Sequence, residues 1–442
     1  MLLIGNGRVI TRDEAQPFIS DGCIAIRDQW VVEVGSTGMV KSKYPGSDFM
    51  DVGGKVVMPG LINTHMHLYS TFARGMALKN SPPSNFQEIL ERLWWRLDKA
   101  LTEENVYYSA LVPLIDCVKN GTTTIFDHHA SPGAVRGSLF TLLKAARAAG
   151  VRSCLCYEVS DRDGKDVAEQ GIRENVEFIH SCNRARDDMA KGMFGLHASL
   201  TLSDETLSRC CKENAGTGAG FHIHAAEGRL DLEDCLRRHG KRVIERLFGF
   251  GILGAKTIAA HCVHVDDREM DLLKESKTRV VHNPESNMGN AVGCAPVIDM
   301  VRRGVHVGLG TDGYTCDMFE SLKVANILHK HHLADPGAGW TEVPDMLFRN
   351  NSLICGEYFS RPLGRLVPGA FADIIVVDYD PPTPMQAGNL DGHVLFGMAG
   401  PLVDTTVING RVVMQGRQLA GIDEAEVFAK SRERAEKVWQ RF

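Results

Sequence analysis

VVMPGLINTHMHL (Val56–Leu68) is the stretch on which the reading of this chain turns. A short apolar run ends in His65 and His67, and because side chains on a strand repeat with a period of two, both imidazoles leave the same face. Taken singly, such a pair also fits two ordinary satisfied polar positions. Recurrence changes the odds. Strand-like segments at 56–63, 122–127, 151–157, 192–197, 220–224, 257–261, 278–282 and 305–310 end, in turn, at His65 with His67, Asp127 with His128, Glu158, His197, His224 with Glu227, His261, His282 and Asp312. Strands that all finish in metal-binding or proton-moving groups imply that their carboxyl ends converge on one centre.

Helical patterns lie between most of these segments, as at Phe86 to Lys119, Val135 to Ala149, Ser203 to Asn214, Asp266 to Glu275 and Asp317 to His331. Alternation of strands and helices predicts a parallel sheet, and eight such units close a barrel with its chemistry at the strand carboxyl ends. Outside this middle the chain turns β-like. A break at Asp28-Gln29 predicts one hairpin, and Asn409-Gly410 between VDTTVI and RVVMQ predicts another with a type I′ turn. The expected fold class is therefore α/β: a TIM-like (β/α)8 barrel over residues 57–362, with a small β-sandwich domain built from both termini, 1–56 and 363–442.

Composition narrows the partners. Lys+Arg number 49 against Asp+Glu 55, for a net charge of −6, with no basic stripe, which argues against nucleic acid and membrane surfaces. No apolar run approaches the roughly 20 residues of a bilayer span, and the amino terminus carries no signal-peptide pattern. Twelve cysteines without framework spacing fit a reducing cytoplasm. Cys154 and Cys156 are expected to pack a strand interior, and His329, His331 and His332 to lie on a solvated helix face. Of Trp94 and Trp95, one is expected in the core and one over the barrel mouth. A homodimer is the expected assembly.

His65, His67, His224 and Asp312 together offer three neutral nitrogens and one anionic oxygen, leaving a corner for water, as a catalytic cation site requires. Such a set suits zinc first and iron(II) second. Glu227, three residues after His224, reaches substrate without binding the ion, and His261 ends the next strand where it can hold water. No lysine stands at His197 to bridge a second ion, so one divalent cation is expected, with Glu158 the only candidate for another.

These residues, with VVMPGLINTHMHL, NGTTTIFDHH, HAAE, IAAHCVH, VVHNPESNM and GLGTDG, resemble the amidohydrolase superfamily, in the aminohydrolase branch that deaminates nucleobases and triazines. Within it the chain is similar to the SsnA-type aminohydrolases found with selenium-dependent purine hydroxylases. The resemblance implies His65, His67, His224 and Asp312 as metal ligands, Glu227 as acid and base, His261 and Asp312 as further catalytic groups, and His197 and His128 against a heterocyclic substrate. It implies hydrolytic deamination with release of ammonia. Hydrolysis of another C–N or C–Cl bond, and a non-catalytic role in maturing a selenium-dependent hydroxylase, are the competing expectations. Cys294 and Cys316 fall in variable loops, and no arginine matches a nucleoside- or carboxylate-reading position.

Overall fold

Gly60 separates two structural roles within the quoted stretch. In the computed structural model, which describes residues 1–78 and 81–442, the strand expected at 56–63 is divided there. A side chain at Gly60 would meet the Thr123 side chain at 2.3 Å, so only glycine lets the chain cross at this point. In chain order the strands are β1 Leu2–Ile10, β2 Phe18–Arg27, β3 Trp30–Ser36, β4 Asp48–Asp51, β5 Val56–Pro59, β6 Leu61–Met66, β7 Thr122–His129, β8 Arg152–Tyr157, β9 Ala190–Gly192, β10 Phe194–Ala198, β11 Phe221–Ala225, β12 Ile258–His261, β13 Arg279–His282, β14 Val307–Leu309, β15 Ile374–Val377, β16 Val403–Ile408, β17 Arg411–Gln415 and β18 Gln418–Leu419.

Strands from both ends of the chain join one nine-stranded sheet in the order β18-β17-β16-β15-β5-β1-β2-β3, with β4 beside β1. The two predicted hairpins are present: Arg27 pairs with Trp30 across Asp28, and Ile408 pairs with Arg411 across Asn409-Gly410, both of positive φ. One face of this sheet encloses Ile4, Val9, Ile24, Val31, Ile374 and Val407. The carboxyl-terminal 80 residues are not all β, however. Leu390–Gly397 packs on the Met318–Leu333 helix, and Glu424–Arg441 packs on the Glu103–Lys119 helix, where Trp439 donates to the Phe72 carbonyl.

The middle of the chain forms two all-parallel sheets, β6-β7-β8-β9 and β10-β11-β12-β13-β14. Their edges meet twice. The Thr311 and Asp312 amides both donate to the His65 carbonyl at 3.0 Å, and His197 N–H donates to the Val159 carbonyl at 3.0 Å. Close approach at the first seam needs Gly310, where a Cβ would stand 2.8 Å from the His65 carbonyl oxygen. Helices separate successive strands, as expected, except that the strand expected at 192–197 is divided at Met193 between β9 and β10, which belong to different sheets. The predicted Phe86 to Lys119 helix breaks at Leu101, and Thr102 caps a new helix through a reciprocal bond with Asn105. No helix among the described residues is long and apolar enough to cross a membrane.

A buried bidentate ion pair fastens the terminal sheet to the parallel sheets. Arg152 on β8 donates to both carboxylate oxygens of Asp373, each at 3.0 Å, and its guanidinium lies 4.0 Å over the Phe371 ring. Both partners are buried, so removing either strands a charge, a change that typically costs about 3–5 kcal/mol.

Candidate active site

His65 and His67 leave β6 on one side, as the period of two demands, and their ring centroids are 4.9 Å apart. His224 on β11 brings its Nε2 to 3.1 Å from that of His67, and Asp312 Oδ1 stands 2.8 Å from His67 Nε2 and 3.5 Å from His65 Nε2. Ligand atoms of these four residues all lie within 4.8 Å of one another. Each imidazole is anchored at Nδ1. His67 donates to the His128 carbonyl (2.5 Å), His224 to the His197 carbonyl (3.0 Å), and His65 faces His222 Nε2 (2.8 Å), so that the Nε2 atoms point inward. Hydrogen bonds to the outward-facing ring nitrogen fix ring orientation in metal sites. His65 Nε2 is buried without a hydrogen-bond partner, which suits a cation ligand.

Electrostatics follow from burial and from Asp312. Burial pushes the His65 imidazole down to about 3 and holds His224 well below its usual range. Against the same burial, Asp312 lifts His67 to about 9, and Asp312 is itself kept well below the carboxylate range, chiefly by His67 opposing its desolvation. Metal ligands must be deprotonated, so a cation entering here displaces a proton.

Glu227 and His261 stand beside this quartet. His261 Nε2 lies 3.7 Å from Glu227 Oε2 and 4.0 Å from Asp312 Oδ2, and its Nδ1 donates to Asn287 at 2.8 Å. Burial raises the Glu227 carboxyl to about 7, with His261 pulling down and Asp312 pushing up. Four backbone positions here, Ala226, His261, Cys262 and Asp312, adopt the left-handed region without being glycine. Such strain persists where the surroundings over-determine a conformation, and it gathers at functional sites.

One cavity runs over the quartet, lined among others by His67, Glu158, His197, His224, Glu227 and Asp312. His197 enters it with Nδ1 tied to Thr201 (2.7 Å), and burial lowers its imidazole to about 4. Tyr69, Phe86, Trp94, Trp95 and Tyr314 form its aromatic wall; both tryptophans are half-buried and line it, and Trp94 also packs against the core, as expected of one of the two.

His128 departs from expectation. It is fully buried, does not line the cavity, and its Nε2 faces the Leu196 and His222 carbonyls while Nδ1 stands 3.3 Å from Glu158. It props the site from below. His282 and Asp127 likewise lie off the cavity wall: Asp127 accepts from the Leu68 amide at 2.7 Å, and His282 Nε2 faces His329 Nε2 at 3.1 Å. His329 is therefore buried, and only His331 and His332 are on the solvated face assigned to all three. The signal was present, since buried Leu322, Ala325 and Asn326 precede His329 at helical spacing. Cys154 and Cys156 pack the interior with Phe126 and Ile62.

Sequence reasoning missed Ser286 and Asn290. Ser286 donates a short hydrogen bond to Asp312 Oδ2, and Asn290 donates to Ser286 (3.1 Å) and Glu227 (3.5 Å), linking the two carboxylates. Their four-residue spacing on the turn after β13 was the available clue. It also missed His222, the partner of His65.

The amidohydrolase family profile matches residues 56–413. A 5'-deoxyadenosine deaminase of Methanosarcina mazei is 33% identical over 442 residues, covering 99% of this chain and 98% of that protein. A 5-methylthioadenosine/S-adenosylhomocysteine deaminase of Pelotomaculum thermopropionicum is 32% identical over 439 residues, with 98% of each chain covered. Among solved structures, an adenosine deaminase from Xanthomonas campestris with bound zinc shares the fold at a TM-score of 0.89 and 22% identity, across 99% of this chain and 98% of that one. The profile spans most of the sequence, and the chain belongs to the amidohydrolase family.

Proposed function

We propose that this protein is a cation-dependent aminohydrolase that removes an amino group from a purine-like nitrogen heterocycle and releases ammonia. The observation that carries the reading is the convergence of His65, His67, His224 and Asp312 at one cavity, with Glu227 on its wall and His261 packed against Glu227 and Asp312 from behind. The double seam between the parallel sheets supports a single (β/α)8 barrel beginning at Leu61, and the core enclosed by the terminal sheet supports a composite β-sandwich domain. The named relatives are deaminases of adenosine-type compounds, which supports a purine-like substrate. Free cysteines throughout fit a cytoplasmic setting.

The donor set fits one divalent cation, zinc before iron(II), held by the four residues. Such an ion supplies the Lewis acidity that makes water nucleophilic near neutral pH. Around it, Asp312 accepts the proton of the attacking water, and His261 Nε2 orients that water and steadies the charge that develops. Glu227, protonated up to about pH 7, gives its proton to the ring nitrogen beside the attacked carbon. The proton taken up by Asp312 then passes to the amino group, which leaves as ammonia when the C–N bond breaks, while the remaining hydroxyl proton returns to Glu227 as the carbonyl forms. His197 contacts the ring, and the aromatic wall excludes water.

Glu227→Gln is expected to keep its metal and lose turnover about 10²–10⁴-fold, the usual worth of general acid-base catalysis. His65→Asn is expected to lose the metal. Metal content and ammonia release, measured on the same preparations, check both. Undiminished turnover in Glu227→Gln would break the assignment, and release of chloride or a carboxylic acid in place of ammonia would move the reaction to another leaving group.

A further inference from the structure

The cavity wall contains four carboxylates, Glu158, Glu227, Asp231 and Asp312, and among the described residues no lysine or arginine. Away from the cation the quartet would hold, an anionic group on the substrate would find no counter-charge on this wall. Three of the four acids are committed. Asp231 accepts from the Leu200 and Ala226 amides (2.8 and 2.9 Å), Asp312 is held by His67 and Ser286, and Glu227 by Asn290 beside His261.

Glu158 is different. It is only 4% exposed, it is backed by Arg162 at 3.4 Å and His128 Nδ1 at 3.3 Å, and, unlike Glu227 and Asp312, it has no task in the reaction proposed above. Arg162 spends its closest hydrogen bond on Asp98. An ionised carboxylate offers about four acceptor sites, so capacity remains on the cavity side.

Its position relative to Glu227 gives the residue a task. A Glu158 oxygen lies within 4.8 Å of ligand atoms of His67 and His128, and of His197 and His224; Glu227 has the same relation to His261 and Asp312. The two sets share no residue: Glu158 follows β8, between the strands of His67 and His224, whereas His261 and Asp312 follow β12 and β14, beyond the strand of His224. An amino-bearing ring carbon has two ring neighbours. If Glu227 serves a nitrogen lone pair on one side, Glu158 faces the other, where a carboxylate attracts an N–H and repels a lone pair.

We propose, resting on the deaminase reading above, that Glu158 is a specificity-determining residue that accepts an N–H from the substrate on the flank opposite Glu227. The substrate class it selects is a neutral amino-lactam, whose amino carbon lies between a ring N–H and a ring lone pair, as in guanine. A 6-aminopurine such as adenine has no N–H on that second flank and turns the N7 lone pair toward the carboxylate. Leaving a polar group opposed by an unmatched partner in such a site is what separates close analogues most strongly.

The test uses metal-loaded full-length protein with two pairs of probes: guanine and isocytosine, which carry the N–H, and adenine and cytosine, which do not. Wild type is expected to favour the first pair by about 100-fold in kcat/KM or in calorimetric affinity. Glu158→Gln, whose amide can turn a donor toward a lone pair, is expected to bring the ratio within about tenfold, with metal content and Tm unchanged. Glu158→Asp, which keeps the charge, is expected to retain the preference if the Gln variant folds poorly. A wild-type preference for adenine and cytosine, or the same ratio in Glu158→Gln, overturns the inference. So does a second equivalent of metal that disappears in Glu158→Gln, since Glu158 would then be a ligand. Selective binding of the first pair without ammonia release would instead strike the deaminase reading and leave Glu158 supported.

Discussion

Follow β7 and β8 from one end to the other and the same interior face changes its chemistry. Phe126 gives way two residues later to His128, and Cys154 and Cys156 give way to Glu158. At the amino ends, Ile62, Phe126, Cys154, Cys156, Met193, Ile258 and Val281 form an apolar layer backed by Phe359 and Leu363. At the carboxyl ends the layer is histidine and carboxylate, with rings 4.5 to 5.9 Å apart among His65, His67, His128, His222, His224 and His261. The first layer is held by burial, which is non-directional and proportional to area. The second is held by hydrogen bonds that fix one nitrogen of a ring so that the other points at a set place. Stability is concentrated in one layer and aim in the other, and the difference can be broken by mutation.

The largest effect is expected in the apolar layer. Phe126 is fully buried, and Phe126→Ala should cost about 3–5 kcal/mol of unfolding free energy, read from the urea midpoint, by transfer and cavity terms together. At low denaturant the variant should still bind one cation per chain. Loss of cation binding while the fold remains intact would show that the two layers are one unit.

The complementary change should do the reverse. His222 touches His65 Nδ1 and does not line the cavity, so His222→Leu should weaken cation affinity about 10–100-fold, as loss of a ligand's outer partner does. His222→Gln, which keeps a hydrogen-bonding group, should recover part of the loss. Competition with a chromophoric chelator reads the affinity directly, and equal affinity in His222→Leu and wild type would remove His222 from the positioning role.

What could be read in advance follows the same division. Strand ends were legible because a polar residue closing an apolar run is a local pattern, and the Asn409-Gly410 and Asp28-Gln29 turns were legible because each depends on its own backbone. The division at Gly60 was not, because VVMPGLIN is apolar on both sides and only Thr123, 63 positions on, demands the glycine. Arg152 and Asp373 are separated by 221 residues, and nothing near either announces the pair. Ser286 and Asn290 matter only through Asp312 and Glu227, which come from other strands. The strand end puts His128 near the centre and the resemblance puts it against substrate, yet the next residue, His129, continues β7, and the carbonyls of Leu196 and His222 draw its ring inward. Strand ends predict the neighbourhood of a site, and the partners decide which residues face it.

The smallest effect tests the apolar layer at single-atom scale. Cys154 and Cys156 are both buried, and burial holds both thiols well above their usual range, so neither is a nucleophile at neutral pH. They differ in one contact: Cys156 Sγ lies 3.4 Å from the Asp127 carbonyl oxygen, whereas Cys154 has no hydrogen-bond partner within reach. A serine hydroxyl at 156 can donate to that carbonyl; at 154 it is buried with its donor unused. Cys154→Ser should therefore cost about 1–3 kcal/mol and Cys156→Ser under about 1 kcal/mol, with cation binding unchanged in both. If the two substitutions cost the same, the hydroxyl's fate does not govern the difference, and the layer responds to volume alone.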